Sequence, residues 1–555
     1  MSESVIVVGA GPVGLGAALE LARFGVPCVV LEQRTHPSPH PKTRNFNTRT
    51  MEITRGWGPL AYTRFRSVDT PPGWKSPIRF FDTVTGTEFG TIDSTGFAGP
   101  GPTISPALPV MSSQDLLESI LRDAAAATGL VEVRMGHRVV DLTRGWTDDA
   151  EDVAVTVETD EGRYDLTGSA LVAADGVDSF VRESIGVRLN GPQGIHHFVN
   201  CYFRADLEQY VGERTGVLLY VANPEALGVL QPLDAKGRWL CQITVSPDDW
   251  SRERWDDDRV TAWVRGAVGL ADVDVDVDVR STGLWRMNVT VAERFVHGRI
   301  VLCGDAAHQF PPTGGLGVNT GLQGMHNVIW KLALRVQGVA AQSLLETYDD
   351  ERSDPARRTA DQSYQNFQNV HKLGMSIYGV GDTGLDPEEI IRETRRYGNH
   401  LGVEFGTQFS SDAIVSDGSI PPTVHDDYSD YAPSATPGCR APHVWLGPDG
   451  TISTIDLFAT PGFTVLTGAD GEPWRQMCDR LRTKDGVPIS AYTIGSVGLD
   501  DDGTFFDTYG IEADGAVLVR PDGYVAWRSA RAADPAELNC AVQQVLGVPV
   551  REVRA

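Results

Sequence analysis

The stretch VIVVGAGPVGLGAALELARFGVPCVVLE, residues 5–32, decides the fold. Val5–Val8 is an apolar run of the length of a buried strand. Val13–Phe24 keeps a helical spacing of apolar residues with Gly25 just past its end, and Cys28–Leu31 is a second apolar run. Together they make a βαβ unit. The first turn reads Gly9-x-Gly11-x-x-Gly14. Gly9 permits a tight turn, Gly11 lets the backbone approach a pyrophosphate, and Gly14 lets helix and strand pack closely. The helix N-terminus then offers free N–H groups and a partial positive charge to phosphates. Glu32 ends the second strand eighteen residues after Gly14. A carboxylate there can bind both ribose hydroxyls and would repel a 2′-phosphate, so the groove is expected to hold FAD or NAD and not NADP. The segment is apolar, but it lacks the basic n-region of a signal peptide, and glycines and charges interrupt it on a strand–turn–helix rhythm.

At 555 residues the chain exceeds one ordinary core, so two or three domains are expected. Its formal charge of -26 argues against nucleic acid or an anionic membrane surface as partner. The seven cysteines are widely spaced with no CxxC pair, which leaves neither a zinc knuckle nor a dithiol centre. No metal site is expected, and a reducing cytoplasm fits best. Further along, Gln114–Thr128 has helical period, Val131–Val140 and Val153–Val157 read as strands, and Ala170–Ala174 is a buried strand ending at Asp175-Gly176. Residues 196–290 look β-rich with a helix around Asp257–Val268. Within them ADVDVDVDVR (271–280) alternates strictly, as a strand with one solvated acidic face does. A calcium site is the sharper reading of those aspartates, but alternation lays them along one flat face. Glu346–Tyr378 reads as a long polar helix and residues 416–438 as a Pro/Ser/Asp-rich linker.

Two later motifs separate FAD from NAD. ALVAADGVDSFVRESIG (170–186) ends a strand at Asp175-Gly176 and places Arg182 on the next helix. RIVLCGDAAHQFPPTGGLGVNTGLQGMHNVIWKLA (299–333) ends another at Gly304-Asp305. With these, the sequence resembles the group A flavoprotein monooxygenases, the aromatic hydroxylases typified by para-hydroxybenzoate and phenol hydroxylases. LLETYDDERSDPARR (344–358) resembles the family's post-flavin helix. PGCRAPHVWL (437–446), STIDLF (453–458), FTVLTG (463–468) and VLVRPDGYVAWR (517–528) resemble the thioredoxin-like tail of the phenol, hydroxybiphenyl, chlorophenol and aromatic-polyketide hydroxylases. The resemblance implies an α/β protein: a GR2-type Rossmann-like FAD domain (1–75, 105–190 and 290–385) interleaved with a β-sheet substrate domain (76–104 and 191–289). A linker region (386–435) and a thioredoxin-like domain without CxxC (436–555) follow. The tail, lacking its dithiol, would be structural or oligomeric, with a homodimer as candidate assembly.

Carried over residue by residue, the resemblance gives Glu32 the adenosine ribose and Arg44 the FAD diphosphate region. It places Gln114 by the ribityl side, Asp175 in the second FAD motif and Asp305 on a ribityl hydroxyl. Gly317, Val318 and Asn319 would aim backbone N–H groups at the flavin N1/C2=O edge, where reduced flavin is negative. Pro311 and Pro312 would form a stiff wall without N–H donors on the peroxide side, keeping it dry. The implied reaction uses NADPH or NADH and O2. Reduced FAD gives a C4a-hydroperoxide whose distal oxygen attacks an electron-rich carbon of a small phenolic or aromatic-polyketide-like substrate. Baeyer–Villiger insertion or epoxidation on the same scaffold is the alternative chemistry, and a redox-dead flavin or ligand-binding protein the alternative class. His308 is the obvious base candidate, with packing beside the flavin loop as the other reading. His196, His197, Tyr202, Arg204 and Tyr220 are further candidates to face the ring. Two departures stand out. Met111 occupies a position where hydroxybiphenyl-type relatives carry Asp, which hints at a larger or more apolar acceptor. Gly324-Met325 replaces the usual Asp-Ala and is expected to loosen the first turn of that helix.

Overall fold

The computed structural model describes residues 4–234, 236–270, 275–378, 386–447, 450–496, 499 and 503–549. At its centre is a six-stranded sheet in the order Val296–His297, Ile300–Leu302, Leu171–Ala173, Val5–Val8, Cys28–Glu32 and Val131–Met135. All pairings are parallel except the first. Its strands are runs of Val, Ile, Leu and Ala because helices cover both faces and leave no side for polar residues. The first helix starts at Pro12, where a missing N–H costs nothing, and runs to Arg23. Helix Gly317–Val336 crosses it, and helix Gln114–Ala127 packs alongside.

A second, seven-stranded sheet has the order Asp278–Met287, His196–Arg204, Arg238–Val245, Leu227–Pro232, Leu218–Ala222, Ile78–Phe81 and Glu88–Ile92. Alternation along its strands separates two faces. Leu219, Leu230 and Trp239 join a cluster with Val260 and Trp263 of helix Asp257–Val268, whereas Leu218, Val229 and Phe80 join one with Leu373. Leu373 belongs to the 37-residue helix Gln342–Tyr378, which runs from the first sheet across the second. A third, four-stranded sheet pairs Phe463–Thr467 parallel with Ile489–Thr493 and antiparallel with Ala516–Val519, which pairs with Val525–Ser529.

Several expectations change. The run 131–140 is not one strand. Gly136, at φ +73°, turns the chain so that Val131–Met135 closes the parallel sheet while Arg138–Arg144 starts a separate antiparallel one. The alternating acidic stretch enters a strand only at Asp278, and 271–274 lie outside the described residues. Residues 386–435 do not hang as a linker. They contain helices Pro387–Glu393 and Leu401–Phe405 and bury Ile390, Tyr397, Phe405, Phe409 and Tyr428. Gly324-Met325 does not loosen its helix, which continues unbroken to Val336, because Met325 packs against Gly16.

Buried charges hold the third sheet to the first. Glu351 takes Lys331 at 2.8 Å and Arg520 at 2.5 Å, and Arg520 also holds Asp522 at 2.6 Å. The Asp522 carbonyl accepts from Arg49 at 2.6 Å, and Arg440 pairs with Glu52. Removing one partner of such a network strands the others in a low-dielectric interior. Glu351→Gln is therefore expected to cost about 3–5 kcal/mol, read as a lower urea midpoint. Glu20 behaves similarly. Burial would raise its carboxyl, but Arg23, His326 and the Trp57 indole N–H outweigh burial and bring it down to about 2. A depressed folded pKa gives stability that is present above the unfolded value of about 4.3 and lost as pH falls towards 2. Glu20→Gln is expected to flatten the denaturation midpoint across that window.

Candidate active site

Two helix N-termini open onto one cleft. At the first, a Cβ on Gly14 would collide with the Gly9 carbonyl, and one on Gly9 with the Ala174 carbonyl, so packing alone demands both glycines. Gly11 differs. Its φ is −75°, suited to any residue, and an added Cβ would meet nothing within 4 Å. Gly317, at the start of the other helix, has the same open surroundings. The protein has no internal need for glycine at either place. The lack of a side chain is explained by a group from outside that lies against the backbone, as a dinucleotide does.

Between the two helices lies Asp305. It keeps more than a third of its surface accessible, yet surrounding protein pushes its carboxyl up, with Lys42 opposing. That combination describes the floor of a deep cleft. Its carboxylate accepts no hydrogen bond from the described residues. Lys42, on the rim, is held below its ordinary value by burial and by Arg34, against the pull of Asp305, Glu118 and Glu32. Glu32 is anchored at the end of its strand. Its two oxygens accept from the Ala10 and Arg34 N–H groups, each at 3.0 Å. Lys42 and Glu118 were not singled out by sequence. Glu118 could have been, since it stands one helical turn after Gln114.

Other expected residues are committed elsewhere. Arg44 is engaged within the protein. It donates to Gln231 at 2.9 Å, to the Pro232 carbonyl at 2.7 Å and to the Val217 carbonyl, so it ties the loop to the seven-stranded sheet. Burial draws its pKa down to about 10. Asp175 turns inward and accepts from Ser179 at 2.6 Å and the Val181 N–H at 3.0 Å, which fixes the start of helix Phe180–Ser184. Gln114 bridges the Thr43 N–H at 3.0 Å and Glu118 at 2.5 Å. The Asn319 side chain bonds the backbone of Asn47, Asn45 and Gly315 and the hydroxyl of Thr50. Val318 packs partly against the main core. His308 is not placed as a base. Strand pairing with Val291 buries it between Phe295 and Phe310, stacked on Phe310 at 4.8 Å, and burial draws it to about 3, with Arg352 adding.

Pro312 and Thr313 end instead in an apolar cavity of about 290 Å³. Phe80, Phe198, Tyr220, Val229 and Leu227 of the seven-stranded sheet form one wall, and Phe367 and His371 of the long helix another. Gln242 and Thr244 add polar atoms. The Tyr220 hydroxyl is 2.6 Å from that of Tyr397, and burial raises both phenols, which stay neutral. Of the other candidates, His196 packs on Phe367 and His371, His197 on Trp250, Tyr202 bonds Arg238, and Arg204 is exposed. Among the described residues no cluster of His, Cys, Asp and Glu could hold a metal, and no helix is long and apolar enough to cross a membrane.

A family model for the FAD binding domain matches residues 2–363, and one for the aromatic-ring hydroxylase C-terminal domain matches residues 434–549. The chain is 33% identical over 581 residues to tetracenomycin A2 monooxygenase-dioxygenase of Streptomyces glaucescens, covering 98% of this chain and 96% of the relative. It is 31% identical over 601 residues to 2,4-dichlorophenol 6-monooxygenase of Delftia acidovorans, covering 99% of each. Among solved structures, the flavin-dependent monooxygenase PieE in complex with FAD and substrate has a TM-score of 0.90 at 31% identity, covering 99% of this chain and 100% of that one. The ternary complex of aklavinone-11 hydroxylase with FAD and aklavinone has a TM-score of 0.84 at 32% identity, covering 98% and 99%.

FAD fits the open surroundings of Gly11 and Gly317 and the accessible carboxylate of Asp305. Gly11→Ala and Gly317→Ala are expected to leave the apoprotein's thermal midpoint unchanged and to weaken FAD binding about tenfold or more, measured by flavin fluorescence titration. Gly14→Ala should lower the midpoint itself. Matched along nearly its whole length in sequence and architecture, the chain belongs to the group A FAD-dependent aromatic hydroxylases, monooxygenases that use O2 and a reduced nicotinamide cofactor.

Proposed function

We propose that this enzyme hydroxylates a polycyclic phenolic substrate of the aromatic-polyketide kind. The observation that carries this reading is the cavity beside Pro312. It has flat aromatic walls, no carboxylate and no arginine, and its volume of about 290 Å³ lies near the lower end of the range for drug-sized ligands. Met111, buried beside Phe80 and Phe97, adds to its apolar surroundings. Tetracenomycin and aklavinone hydroxylases among the relatives and neighbours support the same substrate class.

FAD, when bound, supplies reduction by NADPH or NADH and activation of O2. The chain's own residues bind, orient and exclude water. Glu32 holds the adenosine ribose and Asp305 accepts from the ribityl chain. The first-turn N–H groups of Gly317, Val318 and Asn319 stabilise negative charge at the pyrimidine edge. Pro312, without an N–H, closes the cavity's flavin end to water. Tyr220, its hydroxyl held by that of Tyr397, would offer the substrate's phenolic oxygen a fixed hydrogen-bond partner. The glycine turn after the first strand of the six-stranded sheet supports a GR2-type Rossmann-like FAD domain over 1–75, 105–190 and 290–385. The seven-stranded sheet supports a substrate domain over 76–104 and 191–289. The mixed four-stranded sheet supports a thioredoxin-like domain over 436–555 that lacks redox chemistry, since Cys439, Cys478 and Cys540 are far apart in sequence. A cytoplasmic homodimer completes the reading.

The test uses purified holoenzyme with a panel of monocyclic phenols and polycyclic quinols. Polycyclic quinols are expected to stimulate NADPH oxidation and O2 uptake and to yield a product one oxygen atom heavier. Stimulation by monocyclic phenols alone, or by nothing in the panel, would sink the proposal. Tyr220→Phe is expected to lower kcat/KM about tenfold, the loss of one hydrogen bond to the substrate, whereas His308→Gln should change it by less than about threefold.

A further inference from the structure

A polar cavity of about 730 Å³ lies beside the start of helix Gly317–Val336, distinct in its lining from the cavity beside Pro312. Its walls include Leu316, Asn319 and Thr320 of that helix's first turn and Arg352 of the long helix. Arg352 is 5% exposed. Among the described residues its guanidinium makes no hydrogen bond, ion pair or ring contact, and Glu351 beside it turns to Lys331 and Arg520. Of the other lining charges, Arg358 pairs with Asp427 at 2.7 Å and Arg396 with Asp426 at 2.9 Å, while the buried Glu404 lies 2.8 Å from His400 Nδ1 with neither of its oxygens hydrogen-bonded. Asp361 is exposed at the rim.

A buried guanidinium without a direct hydrogen-bonded partner is costly, so one has to come from somewhere. The structure shows where an internal partner could have stood. A Cβ at Gly324 would lie 3.9 Å from Arg352 Nε and 3.1 Å from the Tyr348 hydroxyl. An aspartate there, as the resemblance leads one to expect at this position, would carry its carboxylate to the guanidinium. This chain has glycine, and the cation is left facing the cavity.

We propose that Arg352 and the adjoining Thr320 and Gln323 side chains of helix Gly317–Val336 form a binding site for a phosphate-type oxyanion, opened by glycine at position 324. A guanidinium offers paired donors that match an oxyanion's geometry. The side-chain amide of Gln323 supplies further donors around a space large enough for several atoms. Two sources carry this chemistry: inorganic phosphate, and the phosphates of the nicotinamide dinucleotide that the enzyme consumes. The site itself does not depend on the polyketide reading above.

Isothermal titration of the FAD-loaded enzyme with inorganic phosphate tests the site, with Gly324→Asp and Arg352→Gln as variants and FAD content as the control for folding. Phosphate is expected to bind the natural protein and to bind Gly324→Asp about tenfold or more weakly, because the internal carboxylate takes the guanidinium. Arg352→Gln should lose binding as well. Gly324→Asp keeps the test valid if Arg352→Gln does not fold. Displacement of phosphate by NADP⁺ assigns the site to the dinucleotide, and indifference to NADP⁺ assigns it to the free ion; both support an oxyanion site. Absence of phosphate binding to the natural protein, or undiminished binding to Gly324→Asp, overturns it.

Discussion

Helix Gly317–Val336 lies against helix Pro12–Arg23 at a separation that only missing side chains allow. A Cβ on Gly16 would stand 2.9 Å from the Met325 methyl and 3.1 Å from a Leu322 methyl. One on Gly321 would stand 2.9 Å from Val13 and 3.0 Å from the Gly304 Cα. The active site depends on this crossing. The two helices emerge from different strands, more than 290 residues apart in sequence, and the close contact brings both N-termini to one cleft. It also presses the Gly304-Asp305 turn between them. A methyl group at Gly321 would push that turn outward and carry the Asp305 carboxylate with it. Close packing here is a condition for binding and not only for stability.

Helix Gln342–Tyr378 links what would otherwise be separate parts. Its first turn sits against the chain's last helix, where the Ala341 N–H reaches the Leu546 carbonyl. Its middle buries Glu351 among Lys331 and Arg520, and its far half supplies Phe367 and His371 to the apolar cavity. The third sheet therefore bears on the substrate cavity through a rigid rod. The segment between them follows the same logic. Tyr397 reaches Tyr220 in the cavity wall, and Arg440 is buried against Glu52, on the helix whose start holds Asn319. Composition suggested a linker there because Pro, Ser and Asp are frequent, but those residues also make tight surface turns over a core.

The parts of the site that were legible in the sequence are those written in backbone terms. Gly9, Gly11, Gly14 and Gly317 leave a local signature because a turn, a close approach or a helix start is decided within a few residues. Side-chain roles were less legible because partners come from far away. Arg44 is held by carbonyls of residues 217 and 232, and nothing near it in sequence announces them. Asp175 did carry a signal, since Ser179 and a short helix follow at capping distance. His308 and Phe310 stand two apart on extended chain, so they face the same side, and burial follows from that. The substrate cavity draws on residues from Phe80 to Met375, and no single window of sequence contains it.

Charge explains why the inner surfaces differ so sharply from the outer ones. The chain carries a net -26, which repels dianionic nucleotides at long range. Binding such molecules requires positive potential that salt does not screen, and that potential has to be enclosed. The cleft supplies it from two helix N-termini and Lys42. Enclosure has a consequence for selectivity. A ligand of the right shape gains from donors held in fixed positions, and diffuse anions gain little. The acidic exterior and the positive interior act together: the first discourages unspecific binding of polyanions, and the second rewards the few molecules that reach inside.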